Sequence, residues 1–133
     1  MTYNKPLPNI DALSQPFWDA AKDSRLVVQR CSNCNDRHFP PGPVCPQCLS
    51  SEQTWDTVSG TGTLEGWVDF HRAYWDGFKD DLPYRCCLVR LDEGPVLVSN
   101  LVGDAEPRFG APVKVVFEPV TDEITMPKFA MAS

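Results

Sequence analysis

Two short cysteine motifs constrain the fold of this chain more than any other feature. Cys31 and Cys34 are separated by two residues, and Cys45 and Cys48 repeat that spacing after ten intervening residues. A tight turn directs both sulfurs of such a pair towards one point, so two pairs supply the tetrahedral thiolate set of a structural zinc site. We therefore predict a rubredoxin-like zinc ribbon in which Cys31, Cys34, Cys45 and Cys48 bind Zn²⁺.

The segment between the two cysteine pairs contains Pro40, Pro41 and Pro43 and is too short for a helix, which favours a ribbon over a finger with a recognition helix. Two disulfides or a redox-active pair are the alternatives. Disulfides need an oxidising compartment, and residues 1–6 have no apolar signal segment, so we expect a cytoplasmic protein. Four sulfur ligands leave no open coordination position, which indicates structural rather than catalytic zinc. We expect His38 to be an exposed ribbon residue.

The length of 133 residues suits one domain, or one small domain plus a metal module. The formal net charge is −6, from 12 basic and 18 acidic residues. Such a balance weighs against binding of nucleic acid, because that binding depends on Lys and Arg displacing counterions from phosphates. No apolar run approaches the length of a membrane span, so we expect no membrane partner.

Before the first cysteine pair, the pattern predicts an extended arm and then a short helix over residues 14–23. Ser14 is the candidate N-cap, and Pro16 lies in the first turn, where a missing N–H costs little. A helix of this length needs tertiary contacts. Phe17 and Trp18 therefore pack either on the chain's own body or on a partner.

After the second cysteine pair, alternating apolar residues predict mostly β structure. The predicted strands outside the ribbon cover 63–71, 84–91, 95–102, 112–118 and 124–129, and those of the ribbon include 26–30 and 53–58. Five strands with a long first strand match a small OB-fold barrel. The fold class is therefore mainly β, divided into an arm and helix (1–25), a zinc ribbon (26–58) and an OB-fold (59–133).

Details of the first barrel strand follow from its alternation. Leu64 and Val68 are expected on one face, and Trp67 on the other. Gly60 and Gly62 precede no helix, so we interpret them as a bend or bulge at a barrel corner rather than as a phosphate cradle.

The connection between the first two barrel strands, residues 71–83, is rich in aromatic side chains. Tyr74, Trp75 and Phe78 either fold back over the barrel mouth or contact a partner or ligand, and the polar setting favours contact. On the next strand, Cys86 and Cys87 are adjacent, so one should point into the barrel and one out. We assign them no catalytic role.

Taken in order, these motifs resemble the zinc-ribbon plus OB-fold family known as domain of unknown function thirty-five. The matching segments are Phe17-Trp18, Cys31 to Cys48, Ser59-Gly-Thr-Gly-Thr63, His71-Arg72, Leu91-Asp-Glu-Gly-Pro95 and Pro127-Lys-Phe129. The set covers nearly the whole chain beyond the first dozen residues.

The resemblance implies a non-catalytic accessory subunit of a thiolase-fold enzyme that acts on CoA thioesters as a thiolase, acyltransferase or retro-aldolase. It implies a hetero-oligomer of two plus two subunits, in which a CoA thioester meets the partner interface. Phe17, Trp18, Tyr74, Trp75 and Phe78 would border the partner's acyl-CoA entrance. His71 and Arg72 would either meet a CoA phosphate or remain a solvated strand end.

Two other functions compete with this interpretation. Zinc ribbons and OB-folds both occur in nucleic-acid-binding modules, but the aromatic loop carries Asp76, Asp80 and Asp81 against Arg72 and Lys79, which disfavours phosphates. A stand-alone acyl-CoA enzyme would need a nucleophile, a base and an orienting group, and we assemble no such set from the sequence.

Overall fold

A computed structural model describes residues 5–132 and, within them, shows one α-helix and eight β-strands. The elements are α1 (Gln15–Lys22), β1 (Leu26–Cys31), β2 (Arg37–His38), β3 (Gln53–Val58), β4 (Thr61–Phe70), β5 (Tyr84–Leu91), β6 (Val96–Val102), β7 (Pro112–Pro119) and β8 (Thr125–Met131). A 3₁₀ helix, Asp76–Asp81, lies between β4 and β5. The first four residues of the predicted arm lie outside the described part.

The strands form two sheets. Strands β2, β1 and β3 make an antiparallel three-stranded sheet in that order, and the remaining five close a barrel in the order β4-β5-β6-β8-β7. The barrel is antiparallel except where β6 meets β8, a parallel seam with two register pairs, Leu101 with Phe129 and Val102 with Ala130. This mainly β architecture with a five-stranded OB-fold barrel is the one predicted, and every strand boundary predicted for the barrel lies within two residues of the observed one.

The predicted alternation in β4 is wrong. The register with β5 pairs Leu64 with Val89 and then Gly66 with Leu88, so β4 has one extra residue between the two pairs. This bulge reverses the faces beyond it. Leu64 is buried in the barrel, whereas Val68 faces outwards and is 56% exposed.

Gly60 and Gly62 lie where other chain segments approach the backbone closely. Gly60 has a φ of +80°, and a Cβ there would lie 2.4 Å from Cγ1 of Val115. A Cβ at Gly62 would lie 2.5 Å from the carbonyl oxygen of Arg90. Both positions therefore require glycine for close packing of the barrel strands.

Helix α1 follows Ser14, as predicted, but the Ser14 side chain does not cap it. Ser14 Oγ instead accepts the backbone N–H of Asp11 at 3.2 Å, and Asp11 Oδ1 accepts the N–H of Ser14 at 2.8 Å. Pro16 lies in the first turn, where the helix needs no N–H donor. The reciprocal bonds therefore fix the direction in which the chain enters α1.

One apolar core joins α1, the three-stranded sheet β2-β1-β3 (the ribbon sheet) and the barrel. It contains Phe17 and Ala20 from α1, Val28 from β1, and Leu64 and Phe129 from the barrel, all buried. Because side chains of all three parts share this core, the metal-binding turns are attached to the barrel by packing as well as by the chain. No helical segment within residues 5–132 combines the length and apolar character that a membrane span requires.

Candidate functional site

The four cysteines predicted to bind zinc lie together at the end of β1, of which Cys31 is the last residue. Their Sγ atoms are all within 4.8 Å of one another. The sulfurs of Cys31 and Cys48 are 3.5 Å apart, and those of Cys34 and Cys45 are 3.6 Å apart. Four Zn–S bonds of about 2.3 Å arranged as a tetrahedron require sulfur–sulfur distances of about 3.8 Å. The cluster therefore has the size and donor set of a structural zinc site.

The two cysteine pairs sit in equivalent turns. The N–H of Asn35 donates to the carbonyl of Cys31 at 2.8 Å, and the N–H of Leu49 donates to that of Cys45 at 2.9 Å. Asn35 and Leu49 both have a left-handed φ, 67° and 65°. The N–H of each first cysteine also donates to the carbonyl five residues later. The repeated turn fixes the sulfurs of each pair at the same relative spacing.

Cys31, Cys34 and Cys48 differ in how readily their thiols lose a proton. Burial opposes the Cys31 thiolate, but the backbone N–H groups of Cys34 and Asn33 outweigh it and lower the pKa of Cys31 to about 6. Although the N–H of Asp36 favours the Cys34 thiolate, burial and the neighbouring sulfurs raise the pKa of Cys34 to about 12. The Asn33 amide, 3.5 Å from the Cys48 sulfur, lowers the pKa of Cys48. A bound divalent cation stabilises all four thiolates together, which is the chemistry that zinc supplies in such a site.

His38 is buried beside these turns, so the prediction of an exposed ribbon residue is wrong. Its Nε2 lies 3.0 Å from Oε1 of Gln29, and its Nδ1 lies 3.3 Å from Oδ2 of Asp36. The same Gln29 oxygen accepts the N–H of Gly42 at 2.9 Å. The network ties β1 to the proline-rich segment between the cysteine pairs. The sequence did not lead us to predict a role for Gln29. A polar residue inside a strand of otherwise buried apolar residues does, however, indicate a buried hydrogen-bond partner.

The aromatic residues of the 71–83 connection divide into two groups. The ring of Phe78 stacks on Tyr84 at 4.8 Å, and Tyr84 stacks on Phe70 at 5.0 Å. Tyr74 meets the edge of Phe70 at 6.3 Å but is 61% exposed, and Trp75 is 59% exposed. Phe78 therefore covers the end of the barrel, whereas Tyr74 and Trp75 present large aromatic surfaces to solvent.

His71 and Arg72 are both exposed at the end of β4. The Arg72 guanidinium lies 5.3 Å from the Tyr74 ring centre, in cation–π geometry. Neither residue lines the cavity of about 570 Å³ at the nearby barrel mouth. The cations lining that cavity pair with carboxylates: Arg85 with Asp69, Lys128 with Glu118 and Lys5 with Asp81.

Phe17 and Trp18 occupy different environments on α1. Phe17 is buried in the chain's own core, where its ring lies 5.0 Å from Trp18 and 5.2 Å from Phe39. Trp18 is half-buried on the wall of a groove of about 350 Å³ between α1 and the barrel. The barrel side of this groove includes Cys86, Leu97, Val98, Met126 and Pro127.

The adjacent cysteines of β5 differ in exposure, as their alternation predicts. Cys87 points into the barrel, and burial raises its pKa to about 11. Cys86 is half-buried, and burial raises its pKa as well. A thiol with a raised pKa is a poor nucleophile at neutral pH.

Comparisons with known proteins agree with this architecture. The family model "ChsH2, rubredoxin-like zinc ribbon domain" matches residues 18–53, and "ChsH2, C-terminal OB-fold domain" matches residues 55–118. A "DUF35 domain-containing scaffold protein" of Methanothermobacter thermautotrophicus is 30% identical over 102 residues, which are 74% of this chain and 75% of that protein. The chain belongs to the DUF35 family.

Two further relatives of this DUF35 protein are informative. A solved structure described as "Ltp2-ChsH2(DUF35) aldolase" aligns with a TM-score of 0.85 and 36% identity, covering 96% of this chain and 100% of that one. A "Probable enoyl-CoA hydratase alpha subunit" of Thermomonospora curvata is 39% identical over 132 residues. Those residues are 96% of this chain but 40% of that protein. The DUF35 chain thus spans less than half the length of this curated relative.

Proposed function

We propose that this DUF35 protein is a non-catalytic accessory subunit of a thiolase-fold enzyme that forms or cleaves a carbon–carbon bond beside a CoA thioester. The observation that carries the proposal is the alignment over the full length of a DUF35 chain from an Ltp2–ChsH2 aldolase, at 36% identity. The family resemblance described above supplies the thiolase fold of the partner. In this proposal the partner catalyses the reaction, and this chain has only a structural role.

The character of the cysteines supports a structural rather than a catalytic role. The four clustered sulfurs have the spacing of a tetrahedral zinc site, and a fully thiolate-ligated zinc has no position for substrate. Cys86 and Cys87, the two remaining thiols, both have raised pKa values. All six cysteines are unbridged, in keeping with our inference of a reducing, cytoplasmic location.

The surfaces that we assign to the partner lie on α1 and on the 71–83 connection. Trp18 lines an open apolar groove beside the buried ring of Phe17. Tyr74 and Trp75 are exposed aromatic residues of the kind that dominate binding energies at protein interfaces.

A CoA thioester bound by the partner would meet this chain near the same connection. His71 and Arg72 are exposed there, and we propose that they approach a CoA phosphate. Phe78 acts indirectly, because its stack on Tyr84 holds the connection against the barrel end. Thiolase-fold enzymes are symmetric dimers. We therefore propose an assembly of two partner subunits and two copies of this chain.

Tagged protein isolated from its source cells under native conditions tests the proposal. We expect co-elution of a thiolase-fold enzyme at a mass equal to two copies of each chain, identified by mass spectrometry. The separated enzyme should be inactive or unstable towards its acyl-CoA substrate and should recover when this chain is added. Full activity of the enzyme without this chain would show that the accessory role is wrong.

A hydratase is the second candidate partner. The Thermomonospora curvata relative is named as a hydratase alpha subunit and has additional sequence beyond the part that this chain matches. Assaying the isolated complex for hydration of an enoyl-CoA and for carbon–carbon bond cleavage separates the two candidates. A salt-dependent shift of labelled single-stranded oligonucleotide would instead support the nucleic-acid alternative.

A further inference from the structure

The outer face of the barrel carries a row of apolar side chains that the fold does not bury. Strand register pairs Gly66 with Leu88 and Leu88 with Val98, which places these three residues in one row across β4, β5 and β6. The next row pairs Val68 with Cys86. Opposed residues of antiparallel strands project from the same face. Val98 is 75% exposed, Val68 56% and Leu88 38%, and we call these three residues the apolar stripe.

The apolar stripe continues into other exposed apolar groups at both ends. Val98 forms part of the groove whose opposite wall includes Trp18. At the other end, the row after Val68 holds Phe70, against whose edge the exposed ring of Tyr74 packs. Apolar groups therefore extend from α1 across the three strands to the aromatic connection, and Asn100, which pairs with Cys86, is a polar position at the β6 side of the second row.

Charges beside the apolar stripe are neutralised within the chain. Arg90 on β5 donates from Nε to Oε1 of Glu65 at 3.0 Å. Arg85 neighbours Cys86 on the same strand and therefore projects to the opposite side of the sheet, where its Nε donates to Oδ1 of Asp69 at 2.6 Å in the barrel-mouth cavity. Because Arg90 is paired and Arg85 lies on the other side of the sheet, the apolar stripe itself attracts neither phosphates nor acidic lipid headgroups strongly, and the surface complementary to it is apolar and uncharged. A protein partner supplies such a surface.

We infer that the apolar stripe is the docking face for the partner enzyme, which covers it with an uncharged apolar surface. The inference rests on the proposed function, since it names the part of the chain that the enzyme contacts. Two rows about 7 Å apart on three strands about 5 Å apart cover only roughly 200 Å². A stable interface buries about 800 Å² per partner. The same contact must therefore include Trp18 and the connection that carries Tyr74.

Gly66 offers a test that leaves the barrel intact. A Cβ at Gly66 meets no atom within 4 Å, and its φ lies outside the left-handed region. Gly66→Arg would thus place a bulky charge on the docking face without a clash inside the barrel. Val98→Glu places a charge of the opposite sign on the same row. Leu49→Glu is the matched control, because Leu49 is 73% exposed in the second cysteine turn of the ribbon, whose sheet pairs with no strand of the barrel.

The experiment measures the affinity of each zinc-loaded variant for the enzyme that co-purifies with the wild-type chain. We expect Gly66→Arg and Val98→Glu to weaken binding at least about tenfold, because each buries an unpaired charge at the contact. Leu49→Glu should bind as the wild type does. Unchanged melting temperatures and zinc contents would show that both stripe variants are folded.

Three other results would overturn the inference. If both stripe variants bind the enzyme with wild-type affinity, the docking face lies elsewhere while the proposed function stands. If the wild-type chain binds no enzyme, the proposed function and the inference fail together. If the wild-type chain self-associates and the stripe variants lose only that property, the occupant of the face is a second copy of this chain.

Discussion

Asn35 and Leu49 adopt the same left-handed backbone conformation, each one residue after the second cysteine of its pair. Asparagine tolerates this conformation, whereas a leucine there is strained by about 1 kcal/mol or more. Leu49 is 73% exposed, so its side chain contributes little packing. Comparison of the two equivalent turns thus identifies Leu49 as a native residue that lowers the stability of the protein.

Replacing Leu49 with glycine should stabilise the protein. We expect Leu49→Gly to raise the free energy of unfolding by about 0.5–1 kcal/mol, because relief of the strain exceeds the added entropy of the unfolded chain. Thermal and denaturant unfolding of zinc-loaded protein measures the change. Asn35→Gly is the matched control and should gain less. A destabilised Leu49→Gly variant would contradict the assignment of strain to this turn.

Zinc should be present at one ion per chain and should depend on the clustered cysteines. We expect Cys45→Ser to lose bound zinc, because Cys45 is a buried member of the four-sulfur cluster and a serine hydroxyl is a poor zinc ligand. Elemental analysis of reduced protein measures the stoichiometry. Cys86→Ser, on the barrel, should retain zinc in full. Freshly isolated protein with no stoichiometric zinc would refute the structural zinc site.

His38→Ala should destabilise the ribbon, although His38 is not one of the four predicted zinc ligands. Truncation removes the partner of Gln29 in a buried network and leaves a cavity, at a cost of about 2 kcal/mol. Because Gln29 also holds Gly42, zinc should transfer faster to a competing chelator. A colorimetric chelator follows that transfer, with His71→Ala as the exposed control. Equal transfer rates for the two variants would argue against the supporting role of His38.

Gly62 and Gly66 should respond in opposite ways to the same substitution. Gly62→Ala brings a Cβ to 2.5 Å from a backbone oxygen that cannot move without distorting β5, so we expect a loss of about 2 kcal/mol or more. Gly66→Ala enters open space and should be nearly neutral or slightly stabilising. Chemical unfolding of the two variants provides the comparison. Similar losses at both positions would contradict the observed approach of β4 to β5.

The Asp69–Arg85 ion pair should make stability fall in acid. The hydrogen bond from Arg85 lowers the pKa of Asp69 below its ordinary value of 3.8. The pair's contribution is therefore present above that value and disappears as pH falls through the lower folded-state pKa. Unfolding midpoints of wild type and Asp69→Asn should differ near neutral pH and converge as the pH falls well below 3.8. A constant difference across this range would indicate that Asp69 acts by packing alone.

Much of the fold could be predicted from local sequence patterns, because apolar alternation and turn residues determine the conformation of only a few neighbouring residues. The ribbon, the strand limits of β3 and β5, and the closed barrel were all foreseeable in this way. The bulge beyond Leu64 was not, because one extra residue is visible only in the register with β5. His38 was misjudged because its burial depends on Gln29, which lies on another strand. The apolar stripe was missed because the bulge decides which side of β4 Val68 occupies.

The short parallel seam between β6 and β8 has a consequence for how the chain is made. The seam joins Leu101 to Phe129, so the barrel cannot close until β8 has left the ribosome. The four clustered cysteines and the three strands of the ribbon sheet all precede residue 59. Metal capture can therefore precede barrel closure during translation.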